Sequence, residues 1–229
     1  MKIIGLIGGL TWFSTLDYYR LLNEMVNEKK GGAAAAEIII YSVNFGIIKV
    51  LTEENRWDEI AKIMGIVAKK IEAAGADCIL IGANTMHKVA DEIQKEVRIP
   101  IIHIAKKVAE EINKQKLTTV ALLGTKYTMQ QGFYTEKLSQ QGINTIVPNE
   151  EEIEFINNAI YTEMGKGIFL PETKTKFLTI INRLISQGAQ GIILGCTEIP
   201  ILIKQKDCPV PVFDTTRIHA AAAVAFALG

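Results

Sequence analysis

The sequence predicts a duplicated α/β protein whose two halves each build a mainly parallel sheet flanked by helices. Two observations lead there. Short apolar runs alternate with stretches whose apolar residues recur at helical spacing, as in Ile60, Ile63, Met64, Val67 and Ile71. The two halves also correspond. Gly75-Ala-Asp heads one apolar run and Gly188-Ala-Gln another, and Ile99-Pro-Ile-Ile and Val210-Pro-Val-Phe follow them. Gly75 to Pro100 is 25 positions and Gly188 to Pro211 is 23, so the period is about half the chain, as in a doubled domain rather than a solenoid.

Taken in order, Ile3 to Ile7 predicts a first strand, followed by the turn Gly8-Gly9-Leu10-Thr11-Trp12. Ser14 and Asp17 have the spacing of a capping box, which predicts a helix through Tyr18, Leu22 and Met25 to a stop at Gly31-Gly32. A second strand is expected from Glu37 to Val43 and a helix from Trp57 to Ala74. The run at Cys78-Ile-Leu-Ile then ends in Gly82-Ala-Asn-Thr85. A helix from Lys88, a strand at Ile99 to Ile102 and a helix from Ile104 to Lys114 follow.

The second half begins with Thr119 to Thr125, which echoes the opening strand and its turn. Next come an expected helix from Gln131 to Ser139, a strand at Thr145 to Val147, and a helical region interrupted near Gly165, Gly167 and Pro171. Strands at Ile192 to Leu194 and Val210 to Phe213 precede a tail helix from Ile218 to Leu228.

Composition narrows the function classes. Hydrophobic residues make up 48% and charged residues 22% of the 229, which suits a globular protein. Lys+Arg and Asp+Glu are 25 each, so no bulk charge argues for nucleic acid or an anionic membrane as partner. The three cysteines, Cys78, Cys196 and Cys208, lack metal-ligand spacing and suit a reducing compartment. The opening apolar run breaks at Gly8-Gly9 before a usual signal h-region, and the alanine-rich tail is too short to span a bilayer. A cytoplasmic protein without a targeting segment is expected.

The chemistry concentrates after Ile192-Ile-Leu-Gly195. Cys196 falls at a strand's carboxyl end, where open α/β sheets place ligands, and Thr197 can cap the helix that Pro200 begins. A thiol beside a helix N-terminus has its thiolate stabilised and its pKa lowered. The alternative is a buried cysteine packing as a small hydrophobe. Facing halves would set Ala83-Asn84-Thr85 opposite Cys196-Thr197 across a cleft. One acid and one base on opposite walls suit inversion of a carbon that bears a hydrogen. Asn84, Thr85, Thr197 and the Gly8-Gly9 turn offer donors for a substrate carboxylate. His87 is read either as a carboxylate ligand or proton relay, or as a structural hydrogen-bonder; His219 leans structural.

With these residues in place, the chain resembles the cofactor-independent aspartate/glutamate racemase family. The motifs are Gly8-Gly-Leu-Thr-Trp-Phe-Ser-Thr15 with Tyr18-Tyr-Arg20, Asn84-Thr-Met-His-Lys88, Leu123-Gly-Thr125, Gly195-Cys-Thr-Glu198 and Pro211-Val-Phe-Asp-Thr215. They run along essentially the whole chain. The resemblance implies two pseudo-symmetric Rossmann-like domains with the active site in the cleft between them, no metal, no pyridoxal phosphate or other cofactor, and a homodimer. It implies a first domain over 1–101, with a C-terminal helix at 214–229 packing back on it, and a second over 102–213.

The resemblance further implies Cys196 as a catalytic acid/base. It implies Leu10, Thr52, Asn84, Thr85, Thr197, Lys166 and His87 around the substrate, an amino acid or small dicarboxylate. Thr52 aligns with a family arginine, near which Arg56 also lies. Lys166 corresponds to a lysine that meets the distal carboxylate, the alternative being a solvated lysine. Glu198 reads as a helix-start carboxylate. One departure stands out: the family's first cysteine precedes Asn-Thr, and here that position is Ala83, which has no proton to exchange. The expected activity is racemisation of aspartate and/or glutamate, biased toward one enantiomer. Its rivals are a single-thiol decarboxylase or isomerase of a dicarboxylate, and a non-catalytic binder.

Overall fold

A computed structural model describes all 229 residues and divides the chain into two units, Met1–His103 with His219–Gly229, and Ile104–Ile218. The first carries β1 (Ile4–Gly8), α1 (Trp12–Lys30), β2 (Ile38–Ser42), α2 (Phe45–Glu53), α3 (Trp57–Ala73), β3 (Cys78–Ile81) and, after a 3₁₀ turn at Thr85–Val89, α4 (Ala90–Gln94). The second carries α5 (Ile104–Lys114), β4 (Thr119–Gly124), α6 (Lys126–Gln130), α7 (Phe133–Ser139), β5 (Asn144–Ile146), α8 (Glu150–Thr162), α9 (Pro171–Ser186), β6 (Ile192–Gly195), α10 (Ile199–Leu202) and β7 (Val212–Asp214). The last helix, α11 (Thr215–Leu228), starts in the second unit and passes to the first at His219. No helix is long and apolar enough to cross a membrane.

Both sheets are parallel and put the first strand of their half in the middle: β2-β1-β3 in one, β5-β4-β6-β7 in the other. In the first unit the side chains alternate between two cores. Ile4, Leu6, Cys78 and Leu80 pack with Tyr18 and Leu22 of α1 and with Ala220, Ala223 and Val224 of α11. Ile7, Ile79 and Ile81 point the other way, to Ile60, Met64 and Ile71 of α3. A sheet covered on both faces explains why its strands read as unbroken apolar runs.

Several expected elements come out differently. Ser14 and Asp17 do not form the capping box: Thr11 is the N-cap of α1, its hydroxyl accepting from Ser14 N–H, while Asp17 pairs with Arg20. Helix α2 has no counterpart in the sequence reading; Asn44 caps it, its side chain accepting from Gly46 N–H. The helix expected over 131–139 is α7, beginning after Gly132, whose φ of 76° is left-handed; the short α6 before it has no counterpart in the sequence reading.

The strand expected at Ile99 to Ile102 shrinks to a single bridge, Ile79 to Ile101. Pro100 has no N–H to continue a ladder. The Gln94 side chain takes the edge instead, accepting from Ile101 N–H at 2.8 Å and donating to Ile99 O at 3.1 Å. Gln205 does the same in the other unit, accepting from Val212 N–H at 2.9 Å and donating to Val210 O at 3.0 Å.

Candidate active site

In the second unit, β4 and β6 approach so closely at their carboxyl ends that a Cβ on Gly195 would sit 2.9 Å from Leu123 O. That glycine lets the chain turn directly from the strand into Cys196. Thr215 at the start of α11 donates its hydroxyl to Leu194 O at 2.9 Å, tying the neighbouring strand end to the same place. Cys196 is buried, and its Sγ donates to Glu198 Oε2 at 2.9 Å; Thr197 Oγ1 donates to the same oxygen at 2.7 Å.

This overturns the expected activation of the thiol. The helix that follows, α10, has only four residues, and its N-cap is Glu198 with no side-chain capping bond, so Thr197 is not the cap. Burial, reinforced by the Glu198 charge and its hydrogen bond, pushes the Cys196 thiol well above its ordinary value. At rest Cys196 is therefore a protonated thiol, with a carboxylate placed to accept its proton.

In the first unit, β1 and β3 end side by side, Ile7 facing Ile81 in register, so Gly8-Gly9-Leu10 and Gly82-Ala83-Asn84 share one sheet edge. Gly9 has φ of 77°, and a Cβ there would meet Val43 O at 2.2 Å; no other residue fits this turn. Its N–H is already used, donating to Thr15 Oγ1 at 2.7 Å, so that donor does not face a ligand as expected. Ser14 Oγ donates to Gly82 O at 3.0 Å. Asn84 and Thr85 are buried where the 3₁₀ turn begins.

His87 is buried, and its Nδ1–H donates to Ala83 O at 2.9 Å. All three histidines gather around this point, the His87 ring lying 4.9 Å from that of His103 and 5.3 Å from that of His219. His219 Nε2–H donates to Ile102 O at 2.5 Å, which leaves Nδ1 to accept from Tyr18 OH at 2.8 Å. Burial in the core favours the neutral form of both rings. Burial pushes His87 down to about 4 and His219 well below its usual value, the latter helped by repulsion from His87. A histidine held so low is not a proton relay at neutral pH; it fixes the Ala83 carbonyl instead.

A stability prediction follows. Below the ordinary histidine value of 6.5 the unfolded chain takes up protons that the folded chain refuses, so stability falls as pH drops from 6.5 toward 4. Urea titrations near pH 7 and near pH 5 are expected to differ by about 2 kcal/mol through His87 alone. Equal stabilities would show that the rings are not buried neutral.

The remaining expected site residues lie as follows. Leu10 is buried and packs in the core with Ile48 and Leu51, Ala83 lying against the same cluster. Thr52 is buried within α2, its hydroxyl donating to Ile48 O at 2.7 Å. Arg56 is exposed and paired with Glu54 and Glu59. Lys166 is exposed on the 3₁₀ turn Met164–Lys166, before the left-handed Gly167. No three His, Cys, Asp or Glu side chains are grouped to hold a metal ion.

Glu198 stands at a helix start as expected, the N-cap of α10, but sequence reading missed its depth, buried against Cys196. Its two-residue spacing from a cysteine at a strand end is the signal that was there to use. Thr216, buried at the same sheet edge with its hydroxyl unpartnered, had no such signal.

Paired parallel α/β units, one ending in a thiol and carboxylate, define a class in which small-molecule chemistry takes place at strand ends. Within it, residues 7–223 match the model of the Asp/Glu/Hydantoin racemase family, and the chain belongs to that family. It is 44% identical to a Yersinia pestis protein provisionally named an Asp/Glu racemase, with a TM-score of 0.95 and full coverage of both chains. It is 41% identical to an aspartate racemase homologue from Pyrococcus horikoshii OT3, with a TM-score of 0.88 and again full coverage of both. The broad specificity amino-acid racemase RacX of Bacillus subtilis is 27% identical over 167 residues, 73% of this chain and 72% of RacX.

Proposed function

We propose that the protein is an amino-acid racemase acting on aspartate and/or glutamate, in which Cys196 removes and returns the α-proton. The observation that carries this is the 2.9 Å hydrogen bond from Cys196 Sγ to Glu198 Oε2 at the end of β6. The thiol proton passes to Glu198. The sulfur then takes the α-proton, and the electron pair left on carbon spreads into the substrate carboxylate. Asn84 and Thr85 hold that carboxylate, joined by Thr197 once its hydroxyl turns from Glu198. Lys166 meets the distal carboxylate and His87 holds the Ala83 carbonyl in place. Family membership and the racemase names of the relatives support the reaction class. No added cofactor is required, and three buried free cysteines suit the cytoplasm.

Ala83 favours a second reading. A site with a single thiol also suits decarboxylation or isomerisation of a small dicarboxylate, and one with no turnover would simply bind its ligand. Incubation with each enantiomer of aspartate and glutamate in heavy water separates these. α-Deuteration followed by NMR, with chiral chromatography, is expected for the racemase. Release of carbon dioxide, or binding without exchange, would replace it.

Glu198 has its own test. Exchange should rise with pH as the thiol gives up its proton, because burial and the Glu198 charge hold that thiol above its ordinary value. Glu198→Gln removes the charge, so the rising limb is expected to move to lower pH while the plateau falls about 10-fold or more for want of a proton acceptor. A pH profile unchanged from the parent would remove Glu198 from the mechanism.

A further inference from the structure

We propose that the Thr216 hydroxyl, at the start of α11 beside the end of β6, accepts a hydrogen bond from the α-ammonium of the substrate. This rests on the racemase reading above and adds to it the place of the amino group. Thr216 is 4% exposed, and its Oγ1 is buried with no hydrogen-bond partner. Such a hydroxyl has lost its bonds to water without replacement, a penalty that valine, of the same shape, does not carry. Helical threonines elsewhere in the chain avoid it. Thr52, Thr162, Thr175 and Thr179 each donate to the carbonyl four residues back. Thr216 is the second residue of α11 and has no helical carbonyl behind it.

Strand pairing brings this hydroxyl to the thiol's end of the sheet. β6 and β7 run parallel, with Ile192 facing Val212 and Leu194 facing Asp214. Cys196 and Thr216 each stand two residues beyond that last pair, so the register carries them to neighbouring strand ends. Thr215 fixes the junction, its hydroxyl donating to Leu194 O at 2.9 Å. Cys196 is 9% exposed, so thiol and hydroxyl are both enclosed, and a substrate that reaches one comes to the strand end beside the other.

The first unit repeats the pairing without the hydroxyl. There Ile79 bridges Ile101, the counterpart of Ile192 with Val212. Ile101 and Val212 each follow a proline, and Ile79 and Ile192 each stand four residues beyond a glycine that heads its strand. Four residues further on, Ile79 and Ile101 lead to Ala83 and Ala105, whereas Ile192 and Val212 lead to Cys196 and Thr216. Ala105 is buried as Thr216 is, so the fold accepts a bare methyl at this position. The hydroxyl goes with the half that carries the thiol.

The surrounding charge favours an ammonium over a carboxylate. Helix starts draw anions through their free N–H groups, but Asp214 occupies those of α11. Its Oδ1 accepts from Arg217 N–H at 3.1 Å, and the carboxylate also accepts from Thr216 N–H. Two carboxyl groups flank Thr216 at the strand ends, Asp214 on β7 and Glu198 beyond β6. Burial holds the Asp214 carboxyl above its ordinary value, which a cation beside it would relieve. Arg217 and Lys204 are exposed, and Lys126 follows β4, on the far side of β6 from β7. An ammonium brings three donors and no acceptor, and Thr216 Oγ1 offers it an unused acceptor. The roles proposed above for Asn84, Thr85, Thr197 and Lys166 take up both carboxylates of the substrate and leave its amino group to be held.

Isothermal titration calorimetry of the full chain with aspartate, glutamate and their deamino counterparts, succinate and glutarate, tests this role. Thr216→Val is expected to weaken binding of the better-bound amino acid by about 10-fold or more and to leave its deamino counterpart's affinity near the parent's. Thr216→Ser, which keeps the hydroxyl, should bind the amino acid nearly as the parent does. Because the hydroxyl has no partner within the protein, Thr216→Val is also expected to unfold at a urea midpoint equal to or above the parent's. Three results would overturn the role of Thr216 and leave the racemase reading standing: valine weakens both ligands alike, valine weakens neither, or valine lowers the urea midpoint and serine restores it. A parent that binds neither amino acid overturns both.

Discussion

Cys196→Ser is expected to lower α-proton exchange with aspartate or glutamate by about 10²–10⁴-fold while leaving the fold in place. Serine fits the buried site, and its hydroxyl can still donate to Glu198 as the thiol does at 2.9 Å. What serine loses is acidity, since an alcohol next to a carboxylate does not give up its proton near neutral pH. Cys78 and Cys208 cannot substitute. Cys78 is inside β3, pushed up to about 12 chiefly by burial, and Cys208 lies in the loop before β7. Circular dichroism and urea titration report the fold, and NMR in heavy water reports exchange. A serine variant that exchanges as fast as the parent would falsify the assignment of Cys196 as the base.

A second large effect is expected from Ala83. In the mechanism proposed above, Cys196 alone takes and returns the α-proton, so the other face of the substrate is reprotonated through water or a weaker donor. One enantiomer should therefore exchange its α-proton about 10²–10⁴ times faster than it inverts, and the other should exchange slowly. Ala83→Cys is expected to narrow the gap. The carbonyl at position 83 is held by His87 Nδ1–H, so a new side chain there starts from a defined backbone. Gly82→Cys is the control for register, although its Cβ would lie 3.1 Å from Ile7 O and so crowd β1. Equal exchange of both enantiomers by the parent, with inversion keeping pace, would mean another group already serves the second face.

The doubled α/β plan was legible because strands buried on both faces leave unbroken apolar runs, and because the strand-end motifs repeat. The lost strand at Ile99 and the extra short helix α6 before Gly132 were harder to see. In the first, a glutamine six positions before Pro100 replaces ladder bonds with side-chain bonds; in the second, a helix of five residues capped by Thr125 is too short to show a helical pattern. The Gln-to-Pro spacing recurs at Gln205 and Pro211, so the device could have been found by comparing the halves. At the candidate site, the positions of Cys196, Asn84 and Thr85 at strand ends followed from local pattern. The protonation of Cys196 did not. It depends on how deeply Glu198 is buried and on a helix too short to lower a thiol, and both are tertiary outcomes. The bond of Thr52 to its own backbone was hidden for a similar reason, since it depends on a helix that the sequence reading did not expect.

Helix α11 changes how this protein can be made. The core beneath α1 is completed by Ala220, Ala223, Val224 and Ala227, more than a hundred positions beyond β3 in the chain. During synthesis the first unit therefore emerges early but stays unfinished, with Tyr18 lacking its His219 partner, until the ribosome has translated the last helix. The second unit, continuous from Ile104 to Ile218, has no such wait. A premature stop just after Ile218 would thus release a chain whose later-made unit can close and whose earlier-made unit cannot, a natural target for chaperones and proteases.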